Sequence, residues 1–280
     1  MNALEIKNLC KSFVGFELKN LNLTLPGGCI MGLIGENGAG KSTTIKLILD
    51  ILKKDSGIIT VLGRDNQESL NLTKEDIGVV FDEPGFPQCM NAKQIGKVMK
   101  YTFRNWDEHH YLKLINKFAL PPDKEFKDFS RGMKMKLSIA AALSHNAKLL
   151  LLDEPTSGLD PVVRDQIVDI LYDFARDEDH SILISSHIVS DLEKLCDYIA
   201  FLRNGELLLC DEKDKLLSEY ALLRCSKEQL SQLAEHTILY QKQTPYSVDI
   251  MIHRKDIPSQ FDTIPITIEE LFLFMVKEGK

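Results

Sequence analysis

The chain has 280 residues, 44% of them hydrophobic, enough for a main folded domain with an appendage. Its 41 acidic residues against 34 Lys and Arg give a formal net charge of -7, which argues against nucleic acid as the main partner. The six cysteines lack zinc-ligand spacing, the start MNALEIKN lacks a signal peptide, and no apolar run approaches the roughly 18 residues that cross a bilayer; the expectation is a reduced, cytoplasmic protein that leaves any membrane spanning to another polypeptide.

Strand-like alternation at residues 3–9 and 16–25, closed by Pro26-Gly27-Gly28, predicts a small antiparallel layer. Phe13 falls in the turn between these strands, where its ring either stacks on an adenine face or packs locally. The apolar run of Cys29, Ile30, Met31, Leu33 and Ile34 reads as a buried strand, and residues 41–49 have helical spacing. Between them Gly35, Gly40, Lys41 and Ser42 stand in the order G-x-x-x-x-G-K-S. Gly35, Gly38 and Gly40 allow backbone conformations that turn successive N–H groups toward phosphate oxygens beside a helix N-terminus. Asn37, Ala39 and Thr43 complete this stretch, with Lys41 aimed at β- and γ-phosphates and Ser42 at Mg2+. The pattern specifies binding of ATP or GTP.

After a turn at residues 53–57 come strand candidates at 58–62 and 77–81, the second ending at Asp82-Glu83-Pro84-Gly85. Helical spacing over 91–118, with Asn91 and Asp107 as N-caps and Pro121-Pro122 as the stop, marks a helical subdomain over about residues 85–146. Ser130 opens its last helix. The run KLLLLDE at 148–154 predicts a parallel strand buried on both faces, which sets Asp153 and Glu154 beyond its carboxyl end, where α/β sheets bind ligands. Asp160 and Pro161 start a helix to about residue 176, residues 181–185 form another buried strand ending at Ser186-His187, and Asn204-Gly205 joins a hairpin. Beyond residue 215 short strand and helix candidates, ending in EELFLFMV, predict a small α+β accessory domain over 216–280.

Taken in order, these motifs resemble the nucleotide-binding subunit of an ATP-binding cassette (ABC) transporter over residues 1–209. The resemblance implies a P-loop NTPase core of α/β class, with an antiparallel β layer and a helical subdomain, over residues 1–215. Phe129-Ser130-Arg131-Gly132-Met133 stands where the family has a Leu-Ser-Gly-Gly-Gln-like signature; it keeps Ser130 and Gly132 and departs at Arg131 and Met133 as ABC-2 exporter cassettes do. Carried over, Asp153 helps bind Mg2+ through water, Glu154 polarises the attacking water, His187 contacts the γ-phosphate, residues 157–160 cross to a second cassette, and Phe13 stacks on adenine. Asp82 occupies the position of a glutamine that reaches Mg2+, which makes it a third metal candidate beside Ser42 and Asp153.

The implied reaction is ATP hydrolysis by two cassettes, identical or not, that close head to tail with each ATP between the Lys41 loop of one and Ser130 and Gly132 of the other. The implied partner is a separate multi-spanning transmembrane subunit, which places the chain at the cytoplasmic face of the cell membrane. That subunit would dock near Phe86, Pro87, Met90, Tyr101 and Phe103, unless these side chains close a core of their own. The run Tyr101 to Asp107, the altered signature and the tail TIEELFLFMV resemble a bacterial subfamily that includes exporters of antimicrobial or cytolytic peptides. Lipid, drug or ion export, a soluble cassette ATPase acting on ribosomes or DNA, and a P-loop kinase are the alternatives.

Overall fold

The computed structural model describes residues 1–68, 73–230, 233–243, 245, 247–258 and 261–277. Strands β1 (Asn2–Phe13) and β2 (Phe16–Pro26) pair antiparallel, and β1 also pairs with β4 (Ser56–Val61), which carries the short β5 (Arg64–Asp65). This is the predicted antiparallel layer. Phe13 is the last residue of β1, in register with Phe16, so the turn is tighter than alternation alone suggested.

The central sheet has the order β10-β9-β3-β8-β7-β6, built from β3 (Ile30–Ile34), β6 (Ile77–Val80), β7 (Leu149–Asp153), β8 (Ser181–Ser186), β9 (Tyr198–Arg203) and β10 (Glu206–Glu212). All neighbours are parallel except the β9–β10 hairpin. Side chains alternate across a strand, so the leucine run divides between two cores. Leu149 and Leu151 join Met31, Leu33 and Leu183 under the antiparallel layer, whereas Leu150 and Leu152 join Ile182 and Ile184 under the helices. Burying each such side chain contributes about 1.5–3 kcal/mol, which anchors β7 on both faces.

Helix α1 (Lys41–Ile48) follows β3 directly. The helical layer comprises α2 (Ala92–Thr102), α3 (Glu108–Lys117) and α4 (Arg131–Leu143). Asn91 and Gln94 form a reciprocal capping box on α2, Asp107 caps α3, and Ser130 caps α4 by accepting from Met133 N at 3.3 Å. Helix α5 (Pro161–Phe174) begins at the predicted Asp160 cap, and α6 (Val189–Leu195) follows β8.

Past α7 (Lys213–Glu219), strands β11 (Tyr220–Cys225), β12 (Ile238–Gln243), β13 (Val248–His253) and β14 (Thr263–Ile264) form a sheet ordered β12-β13-β11-β14. Of the short candidates expected beyond residue 215, KEQLSQLA (227–234) overlaps α8 (Lys227–Leu230) and YSVDIMI (246–252) overlaps β13; residues 231, 232 and 246 lie outside the described residues. Alternation again splits the sheet: Leu223, Ile250 and Ile252 make a small separate core, while Leu222 and Met251 face the main one. Helix α9 (Ile268–Lys277) packs on α6, and its Phe272 ring lies 5.3 Å from Phe201 of the central sheet.

Candidate functional site

Register brings the carboxyl ends of three strands level. Asp153 of β7 pairs with Ser185 of β8, and Ser185 pairs with Leu33 of β3, immediately before the glycine loop. Gly35 cannot be replaced without moving β9, because a Cβ there would stand 2.4 Å from the Leu202 carbonyl oxygen. Gly40 is the N-cap of α1 with φ of +113° and has no side-chain cap, so the first-turn N–H groups stay available to an anion. Asn37 and Gly38 are exposed on the loop, Ala39 is buried, and Thr43 is half-buried in the first helical turn.

Lys41 is only 5% exposed. Its Nζ donates to the carbonyls of Gly35 at 2.7 Å and Glu36 at 3.2 Å, closing the loop over its own side chain. It also stands 3.1 Å from Glu154 Oε1, outside hydrogen-bond alignment, so the contact is a charge pairing and that oxygen keeps its acceptor capacity. Glu154 Oε2 accepts from His187 N at 3.3 Å and lies 2.7 Å from His187 Nδ1. One carboxylate thus joins the loop lysine to the histidine at the end of β8.

Two features hold Glu154 in place. Its φ of +51° is uncommon for a side chain with a Cβ, at a cost on the order of 1 kcal/mol or more. Its N–H donates to both the carbonyl and the hydroxyl of Ser185, each at 3.1 Å. Asp153 Oδ1 accepts from Ser185 Oγ at 2.7 Å and from Ser42 Oγ at 3.0 Å. Ser185 therefore orients both acids, a role the sequence reading missed. The available signal was a fully buried hydroxyl in an apolar strand, one residue before a serine that precedes a histidine.

Among the described residues no cluster of three His, Cys, Asp or Glu side chains suits a metal ion. Ser42 with Asp153 nonetheless fits Mg2+, which takes one or two protein oxygens and completes its shell from phosphates and water. Asp82 is engaged elsewhere: its Oδ1 accepts from Arg131 Nη2. Phe13 is 42% exposed, with Lys11 Nζ 5.5 Å from its ring centre. Its ring centre is 6.3 Å from that of Phe16, whose edge abuts Gly40, so the aromatic stands beside the loop.

Ser130 is exposed at the start of α4, and Gly132 beside it is not required by packing: a Cβ there would meet Val163 at an ordinary 3.6 Å. The expected apolar surface divides. Phe86 and Phe103 line a cavity of about 290 Å3 with Phe81, Pro84, Met99 and His145. Phe86 and Met90 both pack against the main core, Pro87 is exposed, and Tyr101 is 91% exposed.

Residues 18–157 match the family profile described as ABC transporter, half of the chain. The chain belongs to the ABC transporter family. It is 38% identical to the lantibiotic transport ATP-binding protein SrtF of Streptococcus pyogenes over 85% of this chain and 99% of that protein. It is 29% identical to the ABC transporter ATP-binding protein YtrB of Bacillus subtilis (strain 168), over 96% and 97% respectively. A solved ATP-binding subunit of an ABC transporter superposes with a TM-score of 0.67 at 25% identity, covering 76% of this chain and 91% of that one. The cassette is thus the ATP-binding, ATP-hydrolysing subunit of an ABC transporter. Among its described residues no helix is long and apolar enough to cross a membrane.

Proposed function

We propose that this cassette hydrolyses Mg2+-ATP in a site shared with a second cassette and thereby drives a separate transmembrane subunit that exports amphipathic peptides from the cytoplasmic face of the membrane. The observation that carries this reading is the division of its motifs. Lys41, Glu154 and His187 are joined by direct contacts, as are Ser42 and Asp153, and Ser185 links the two sets, while Ser130 stands exposed and Gly132 half-buried at the start of α4. The N-terminus of α4 carries partial positive charge suited to a γ-phosphate presented by another subunit.

The charge arrangement supports a sequence of events. Without phosphate, Glu154 compensates the buried Lys41 cation. Triphosphate entering the glycine loop draws Lys41 to its own oxygens, and Glu154, still held by His187 and by Ser185, is freed to accept a proton from water. Ser42 and Asp153 would hold Mg2+, which supplies charge neutralisation on the β- and γ-phosphates. Phe13 offers its exposed face to adenine. Asp82, bonded to Arg131 through Oδ1, keeps its other carboxylate oxygen for a water of the metal shell. Closure excludes water, and loss of the γ-phosphate contacts lets the pair reopen.

The groove at Phe86 and Phe103 supports docking of a short amphipathic helix from the membrane subunit. Residues 1–215 act as the cassette and 216–280 as an accessory layer, docked through Phe272. The peptide cargo is supported by the relative named for lantibiotic transport. The test is purification with the native membrane partner, followed by ATPase measurement over a panel of amphipathic peptides and drugs. Stimulation by peptides is expected, and stimulation by drugs alone refutes the cargo. In the same complex Glu154→Gln is expected to retain ATP binding and lose about 10²–10⁴-fold in turnover, as for removal of a general base. Unchanged turnover refutes the role given to Glu154.

A further inference from the structure

Two of the positions at which this cassette departs from the motifs of its family meet in space. Asp82 stands in place of a glutamine, Arg131 in place of a signature glycine, and they are 49 positions apart in sequence. Arg131 Nη2 donates to Asp82 Oδ1 at 2.5 Å. The same guanidinium covers the backbone of Gly158, where a Cβ would stand 3.3 Å from Arg131 Cζ and 3.4 Å from Nε. Gly158 has φ of +66°, so the turn is shaped to leave that face open. One side chain therefore touches three segments: the loop after β6, the first turn of α4, and the 155–160 turn.

These segments serve different faces of the molecule. The loop after Asp82 continues into Pro84 and Phe86, which wall the apolar groove. The first turn of α4 carries Gly132 and follows Ser130, while the 155–160 turn leads from Glu154 to the Asp160 cap of α5. A guanidinium suits this junction because its planar fork holds a carboxylate at one edge while its face lies on backbone; an ammonium supplies charge alone.

We propose that Asp82 and Arg131 form a positioning clasp that moves the groove loop, the signature turn and the 155–160 turn as one unit, so that closure between cassettes is transmitted to Phe86. The inference rests on the two-cassette reading above. The partners' side chains are 49% and 44% exposed, so the clasp contributes little to folding and its loss leaves the chain folded. The clasp requires the guanidinium at 131, which holds the Asp82 carboxylate at one edge and covers Gly158 with its face.

The full-length chain carrying Glu154→Gln provides the parent for the test, with ATP-driven dimerisation followed by sedimentation and hydrogen–deuterium exchange followed over residues 84–90. Asp82→Asn and Arg131→Gln are each expected to raise the ATP concentration at half-dimerisation by about 3–5-fold, the range of a partly exposed ion pair. The two together should do no more than either alone, because they remove the same contact. Asp82→Glu, which keeps a carboxylate for the same guanidinium, is expected to stay within about 2-fold of the parent midpoint and to keep the ATP-dependent change in exchange at 84–90, whereas Arg131→Lys, which keeps the charge but not the planar face on Gly158, is expected to behave as Arg131→Gln. Additive single effects, Asp82→Glu as impaired as Asp82→Asn, or singles that dimerise at lower ATP overturn the clasp. So does a loss that follows melting temperature. A parent that stays monomeric at saturating ATP refutes the two-cassette reading and the clasp with it, whereas a dimerising parent with indifferent singles refutes the clasp alone.

Discussion

Replacing Ser185 by alanine tests whether the acid pair is held from the neighbouring strand. The hydroxyl donates to Asp153 Oδ1 at 2.7 Å and accepts from Glu154 N at 3.1 Å. The substitution leaves no orphaned group: Glu154 N keeps its bond to the Ser185 carbonyl, and Asp153 keeps Ser42. Two hydrogen bonds are lost, one of two branches from Glu154 N and one to a charged acceptor in a dry position, the latter worth about 1.5–3 kcal/mol. Taking the lower figure, because Ser42 shares the same oxygen, Asp153 becomes free to turn away from the metal position at a cost of about tenfold in Mg2+ affinity. The assay is ATPase rate against Mg2+ concentration at saturating ATP, with circular dichroism to establish folding. Half-saturation at about tenfold higher Mg2+ is expected, with recovery of rate at high Mg2+. A folded Ser185→Ala protein with the wild-type Mg2+ curve refutes the reasoning.

Three further predictions follow from packing and charge. Gly35→Ala should destabilise the chain by about 1–3 kcal/mol or more in urea titration, since its Cβ meets a carbonyl oxygen of β9 that is fixed between β3 and β10; unchanged stability counts against the close approach. Phe272→Ala should cost about 3–5 kcal/mol, and hydrogen exchange should show β11 and β13 losing protection before the central sheet, because that ring ties α9 to Phe201; simultaneous loss contradicts the tie. Burial pushes His145 below its ordinary value of 6.5, against the smaller pull of the Ile77 and Ala141 carbonyls. The unfolded chain thus takes a proton first as pH falls: the contribution is full above about pH 6.5 and declines below it by up to about 1.4 kcal/mol per pH unit. His145→Asn should flatten the dependence of melting temperature on pH between about 6.5 and 5.5, and an unaltered slope would exclude His145 as its source.

Much of the site was legible because its local pieces are set by short-range physics. The loop from Gly35 to Ser42 needs glycines at fixed offsets, the caps at Asn91, Asp107, Ser130 and Asp160 need a side-chain oxygen just before a helix, and the leucine run ending in Asp153 needs two apolar faces. Each requirement is written within a few residues. Phe13 was set in a turn and proved to end a strand, because the pairing Phe13 with Phe16 is decided by the partner strand and not by alternation within one. The apolar surface around Phe86 was read as one patch. Tertiary packing sets both Phe86 and Met90 against the main core, lets Phe86 also wall the groove with Phe103, and leaves Tyr101 exposed, a division that helical spacing alone does not make.

By itself the sequence determined the nucleotide loop, the order of the elements, and the acids and histidine at the strand ends, since backbone conformation and burial periodicity act locally. The tertiary structure alone decided who touches whom. The parallel register that levels Asp153 with Ser185 is a contact across 32 positions, and the meeting of Asp82 with Arg131 spans 49. Charge and hydrogen-bond partners chosen across such distances depend on how separate segments pack, and no local pattern records that choice.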